Sequence, residues 1–317
     1  MTTAARGPAG KGDRPFLQRR WGRLIWLVPA LIVVAALVVL LAHWLRAQPA
    51  VADFLTTYPG HSELPDDAPV GFPAWLRWQH FLNAFFLVAL VRTGLTLRAR
   101  QRPRMFWQRD NTRFVRTRAA PRRMSIHLWL HLTVDALWIA NGVVYVVLLF
   151  ATGQWVRIVP TSWDIVPNAI SAGLQYASLD WPTENGWANY NALQLLSYAL
   201  TVFVAAPLAF VTGLRMSSAW SERWTRASRA FPEPLARAVH FPVMVYFVGF
   251  TIVHVTLVLA TGALRNLGHM YWGTDEVSWA GFAVFAVSIA VLVATWTLVK
   301  PAVVKPIARL WGTVTER

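Results

Sequence analysis

Residues 236–262 read ARAVHFPVMVYFVGFTIVHVTLVLATG, an apolar run long enough to cross a bilayer, with His240 and His254 set into it 14 positions apart. At helical geometry 14 residues turn about 1400°, only about 40° short of four full turns, and rise about 21 Å. Both imidazoles therefore leave one face of one helix, each near a different end. A helix that is apolar throughout, and still carries two ionisable rings on one face, predicts a membrane bundle with a ligand in its interior.

Five further stretches have the same apolar length: Leu24–Leu45, Ala74–Leu97, Ile126–Phe150, Tyr190–Leu214 and Ser278–Val299. Of the 317 residues 56% are hydrophobic and 14% charged, which is a polytopic balance, since lipid leaves the backbone only intrahelical partners. The expected fold is thus all-α, a transmembrane bundle of six spans. The first apolar run exceeds the 7–15 residues of a signal-peptide core and reads as an uncleaved anchor. No internal repeat is seen. The 18 Trp gather near span ends, and the absence of Cys excludes disulfides, thiolate metal sites and cysteine-held iron–sulfur clusters.

Charge sets the expected orientation. The segment through Arg23 holds six Lys or Arg, the Arg98–Arg123 loop ten, the Arg215–Arg237 loop five and the tail from Lys300 four. Alternating spans place all of these on one side, while nine acids, Asp53, Glu63, Asp66, Asp67, Asp164, Asp180, Glu184, Asp275 and Glu276, fall on the other with Arg46, Arg157 and Arg265. Both termini are expected in the cytoplasm of a cell with this chain in its inner membrane. The net charge of +15 is this topological signal and does not indicate nucleic acid.

Eight histidines are present, and nothing in the sequence distinguishes His43, His61 and His269. The second span descends from the outer side with His80 near its start, at the depth of His254. The third ascends with His127 and His131 near its start, at the depth of His240. These matches predict an outer pair, His80 with His254, and an inner pair, His240 with His131 or His127. The midpoint of His240 and His254 lies seven residues from each, and seven residues before the middle of the third span is His131. His127, one turn nearer the cytoplasm, is left for a propionate, a quinone or a partner surface. Paired neutral imidazoles stacked across a membrane are what two bis-histidine haems b require, and two axial ligands leave the iron no open position. Electron transfer is the chemistry expected, with no catalytic residue of its own.

Arg77, one turn before His80, is a candidate for outer-haem propionates or an interfacial anchor. Arg92 and Asp135 either pair with one another, or Arg92 faces the inner haem while Asp135 bonds within the bundle. Asn83 and Asn141 read as interhelical hydrogen-bonding residues, Gly249 as room for a macrocycle, Pro207 and Pro242 as kinks. The loop Ala151–Asn189 contains an amphipathic stretch, Ile165–Leu179, expected to lie on the outer surface as a lid or as plain packing.

Residues 74–262 resemble the four-helix cytochrome b subunits of formate dehydrogenase N, membrane-bound nickel–iron hydrogenase and thiosulfate reductase, grouped with bacterial cytochromes b561. The likeness rests on the histidine spacing and on RWQHFLNAFFLVALVRTGL, Arg77–Leu95, around His80. It implies two haems b, quinone, and a hydrophilic oxidoreductase partner subunit, often molybdopterin-containing. It divides the chain into a basic N-terminus (1–23), an added span and loop (24–73), the haem core (74–262) and a loop, added span and basic tail (263–317). The added first span inverts the core relative to the formate dehydrogenase subunit, so the partner's compartment does not carry over. Other classes stay in view: a transmembrane ferric or ascorbate-type reductase, which typically spreads four ligands over four helices; a transporter with histidine proton relays; and a non-catalytic anchor.

Overall fold

The computed structural model describes residues 22–99, 104–112, 120–181, 186–221 and 223–316. Most of the basic N-terminal segment, part of the Arg98–Arg123 cluster, Glu184 and Arg317 lie outside the described residues. Among the described residues six helices are long and apolar enough to cross a membrane, and their limits fall within three residues of the apolar runs.

In chain order the elements are α1 (Gly22–Arg46), α2 (Pro49–Thr57), α3 (Ala74–Arg98), β1 (Met105–Arg109), β2 (Met124–Ser125), α4 (Ile126–Ala151) and α5 (Ile165–Ala177). The fourth span follows as α6 (Ala192–Leu200), a π-turn (Thr201–Ala205) and α7 (Ala206–Met216). After it come α8 (Thr225–Ala230), α9 (Glu233–Ala260), α10 (Ala263–Leu267), a second π-turn (Gly268–Trp272), α11 (Trp279–Leu298), α12 (Pro301–Arg309) and β3 (Gly312–Glu316). Two of the starts carry side-chain caps. Ser125 accepts from Leu128 N to cap α4, and Asn191 with Gln194 forms a capping box on α6. The expected kink at Pro207 is the π-turn just before it: proline lacks the N–H and crowds the carbonyl four residues back, so the ladder loosens there. Pro242 stays inside an unbroken α9.

The core hairpins are α3 on α4 and α7 on α9, with α11 laid against α3. The first helix stands apart, touching α2 and α5, and its Leu and Val side chains face outward as lipid-facing residues should. Two ends can be named by what they carry. The sheet face holds an element no apolar period announces, a three-stranded antiparallel sheet in the order β2-β1-β3. Trp107 of β1 pairs with Val314 of β3, is buried against Ile126, Trp129, Val304 and Ala308, and donates its indole N–H to Ala308 O at 3.0 Å. A Cβ on Gly312 would stand 2.6 Å from that indole nitrogen, so glycine is required where β3 crosses it.

The loop face is held by buried polar ties. Arg157, 2% exposed, donates to Gly71 O at 2.6 Å and Gly186 O at 2.7 Å, and its guanidinium lies 5.0 Å from the Phe72 ring and 4.9 Å from that of Tyr190. Asn168 accepts from Gly60 N, and α5, the amphipathic stretch read from sequence, packs on α6. Gly71 has φ +85°, a conformation natural to glycine, and its N–H reaches Trp187 O.

Candidate haem-binding site

Four histidines from three helices meet as two pairs. The His80 ring of α3 and the His254 ring of α9 have centres 6.1 Å apart, near the loop face. Those of His131 on α4 and His240 on α9 are 6.5 Å apart, near the sheet face. His127 joins neither pair.

The loop-face pair borders a cavity of about 470 Å³ whose wall is largely apolar and includes several aromatic rings. Phe250 stacks on His254 at 5.7 Å and 5°, Tyr198 meets the same ring edge-on at 6.0 Å, and Tyr271 meets His80 at 6.2 Å and 90°. The Nδ1 of His80 is buried without a hydrogen-bond partner, and so is Nε of Arg77, whose guanidinium packs on Gly273. An orphaned imidazole nitrogen on a cavity-lining ring is a polar group that a ligand would satisfy.

At the sheet-face pair the second nitrogens are accounted for. Thr93 Oγ1 lies 2.8 Å from His131 Nδ1, and Thr212 Oγ1 lies 2.8 Å from His240 Nδ1. Each hydroxyl gives its proton to its own helix, Thr93 to Ala89 O at 2.8 Å and Thr212 to Leu208 O at 2.7 Å. With its one proton committed, the threonine oxygen accepts from Nδ1–H. Nε2 is then each ring's lone-pair nitrogen. The next residues are glycines, and a Cβ on Gly94 or Gly213 would come into ordinary van der Waals contact, 3.6 Å, with Cε1 of His131 or His240.

These threonines were missed in the sequence, and so were the short strings around them. Thr93-Gly94-Leu95 recurs as Thr212-Gly213-Leu214. His131 precedes Ala151-Thr152-Gly153, and His240 precedes Ala260-Thr261-Gly262, with the same offset to threonine (152 − 131 = 261 − 240 = 21). Both helices end alike, with Thr152 and Thr261 donating to Leu148 O and Leu257 O and a positive-φ glycine following. The two core hairpins thus share these short strings at like positions, and each histidine pair takes one ring from each hairpin.

The remaining candidates are spread more widely. Arg92 turns to α11, donating to Trp296 O at 3.3 Å and to Thr96 Oγ1 at 2.9 Å, so it is not brought to the His131–His240 pair. No Arg92–Asp135 ion pair forms; Asp135 Oδ2 lies 3.7 Å from the Cβ position of Gly213. Asn83 bridges Trp138 and Asn141 between α3 and α4, as an interhelical tie. His269, undistinguished in the sequence, is 3% exposed and its Nε2 lies 2.6 Å from Asp275 Oδ1. Among the described residues no group of three or more His, Asp or Glu side chains gathers as a bare metal site.

A family model described as prokaryotic cytochrome b561 matches residues 71–273, which is 203 of the 317 residues and takes in all four paired histidines. No curated protein matches the chain, and no solved structure does.

Proposed function

The chain belongs to the prokaryotic cytochrome b561 family, membrane cytochromes that bind haem b and carry electrons, and on that premise we propose that it holds two bis-histidine haems. His80 and His254 hold one; His131 and His240 hold the other. The observation that carries this reading is the spacing of the rings. A metal–imidazole bond is about 2.0–2.1 Å and the ring centre lies about 1.1 Å beyond the nitrogen, so two imidazoles on one metal have centres about 6.2 Å apart. The observed 6.1 and 6.5 Å bracket that value. Haem iron with two imidazole ligands supplies one-electron transfer and no open position for oxygen.

This chain's own residues do the tuning. Thr93 and Thr212 fix the Nδ1–H tautomer and, by accepting that proton's hydrogen bond, make each ring a stronger donor to the metal. Replacing either with valine removes the acceptor and is expected to raise the potential of the sheet-face haem by tens of millivolts, 1.4 kcal/mol corresponding to about 59 mV for one electron. The loop-face haem should not move. A redox titration in which both variants match the wild type would show that the threonines only pack.

Quinone on the membrane side and a hydrophilic oxidoreductase subunit of molybdopterin type on the other side of the electron path complete the proposal. Its support is the family. The charge asymmetry supports a cytoplasmic sheet face and both termini in the cytoplasm. Reporter fusions after residue 316 should therefore read as cytoplasmic, and fusions within 163–180 as external; the reverse result exchanges the two faces.

The first experiment is a spectrum. Purified protein should be red, with the reduced-minus-oxidised signature of low-spin haem b and about two haems per chain by pyridine haemochrome assay. One haem per chain would refute the two-site assignment. A colourless folded preparation would return the buried histidines to the transporter or anchor readings.

A further inference from the structure

Past the end of the last span, α12 is a helix with three faces rather than two. At about 100° per residue, Val304 and Ala308 share one side of it, Lys305 and Arg309 a second, and Val303, Ile307 and Leu310 a third. The first side is buried against Trp107 of β1 and against Ile126 and Trp129 in the first turn of α4. On the second, Lys305 pairs with Glu316 of β3. The third is an open apolar stripe: Val303 is 46% exposed, Ile307 54% and Leu310 63%, and Trp311 just past the helix is 51% exposed.

Position decides what meets this stripe. The membrane-spanning α11 ends at Leu298 and α12 begins at Pro301. The two residues between them, Val299 and Lys300, reach at most about 7 Å, so α12 cannot leave the neighbourhood of the bilayer. It also touches the start of α4, a second span. A helix tied at both points lies at the membrane boundary, where one side meets the bundle, one meets water and one meets lipid. Those are the three faces its sequence carries. Trp296 and Leu298 carry the exposed apolar surface of α11 to its very end, and Trp296 and Trp311 suit the headgroup level.

Charge selects the kind of lipid. Residues 299–316 hold Lys300, Lys305 and Arg309 against Glu316, a net charge of +2 (3 − 1). Arg98 at the end of α3 and Arg123 beside β2 stand at the same end of the bundle. Basic side chains can lay their apolar stems along such a stripe and hold their heads at phosphate depth.

We propose that α12 is seated in the headgroup layer of an anionic leaflet at the sheet face, with Val303, Ile307 and Trp311 in the acyl boundary and Lys300 at lipid phosphates. The sheet is held to the membrane through the same helix, because Trp107 packs on α12 and donates to Ala308 O. Neither haem enters this assignment.

The test uses full-length protein in lipid nanodiscs made either from phosphatidylglycerol mixed with phosphatidylcholine or from phosphatidylcholine alone. The chain contains no cysteine, so a nitroxide on one introduced cysteine reports one position. In the anionic discs, labels in Val303→Cys and Ile307→Cys should collide with oxygen more often than with a water-soluble nickel chelate, at about 5–10 Å below the phosphates. Thr313→Cys, on the exposed side of β3, should show the reverse preference. Val287→Cys in the middle of α11, 65% exposed, gives the fully lipid-facing reference. In phosphatidylcholine alone, or in about 1 M salt, the oxygen-to-nickel ratio at 307 should fall by about twofold or more. Ile307→Asp, read by the label at 303, should bring that position into water and leave the reference at 287 unchanged. Nickel-accessible labels at both 303 and 307 in anionic discs would overturn the proposal. Shielding from both reagents would overturn it too, by showing protein on the stripe, whether a second copy or another chain. Equal ratios in the two kinds of disc would overturn the anionic assignment, and a 303 label unmoved by Ile307→Asp would overturn the role of the stripe.

Discussion

Alanine at His80 and alanine at His254 are expected to erase one and the same component of the reduced-minus-oxidised spectrum, about half of the total haem signal by the two-site count. The two residues are 174 positions apart in sequence and sit on different hairpins, yet their ring centres are 6.1 Å apart. His131→Ala and His240→Ala should erase the complementary half. Cross-effects should be small, because His240 and His254 are about 21 Å apart along α9, too far for either to touch the other's metal. His127→Ala should keep both components. Potentiometric titration of the five variants separates the outcomes. Loss of a common component in His80→Ala and His240→Ala would break the pairing, and loss of the sheet-face haem in His127→Ala but not in His131→Ala would exchange those two roles.

The second large effect is expected at Arg157, where a cation with 2% exposure has no carboxylate partner among the described residues. Alanine there removes two charge-assisted hydrogen bonds to carbonyls, each worth about 1.5–3 kcal/mol. It also removes the cation–π contacts and leaves Gly71 O and Gly186 O without those donors. A net loss of about 3 kcal/mol or more follows. Lysine cannot recover it, since one ammonium cannot reproduce the fork that spans two carbonyls on different segments. Thermal melts should show the drop, and hydrogen exchange should locate it in 60–73 and 186–191 while α4 and α9 stay protected. Uniform loss of protection across the bundle would mean that Arg157 supports the whole fold rather than the loop face.

Much of this architecture is legible in the sequence because lipid enforces it. An apolar run of the right length becomes a span almost regardless of neighbours, so six runs gave six helices with limits near their composition breaks. Histidine depth is legible too, since rise per residue is fixed and hairpin direction alternates. What stayed hidden depends on contacts between distant segments. Thr93 and Thr212 are ordinary membrane residues until a ring arrives from the next helix. His269 gains its meaning from Asp275 across a π-turn, a backbone state with no simple sequence mark. The strands of the sheet are at most five residues long, and β1 and β3 are about 200 residues apart, so neither has a periodicity to read. The strings shared by the two hairpins are only three residues each, and the position in α4 matching His254 is Tyr145, so the correspondence does not stand out.

The pairing of β1 with β3 also has a timetable. Met105–Arg109 emerges during synthesis long before Gly312–Glu316, and at about 5–20 residues per second the intervening chain of about 200 residues takes on the order of 10–40 s to make. Throughout that interval β1 has β2 on one side and an unfilled row of backbone donors and acceptors on the other, the kind of edge that recruits foreign strands. Closure must wait until α11 has been inserted and α12 has turned back, because both precede β3 in the chain. The nascent protein thus carries an adhesive edge beside the membrane until residues 312–316 are made, and a chain that stops short of residue 312 keeps that edge permanently.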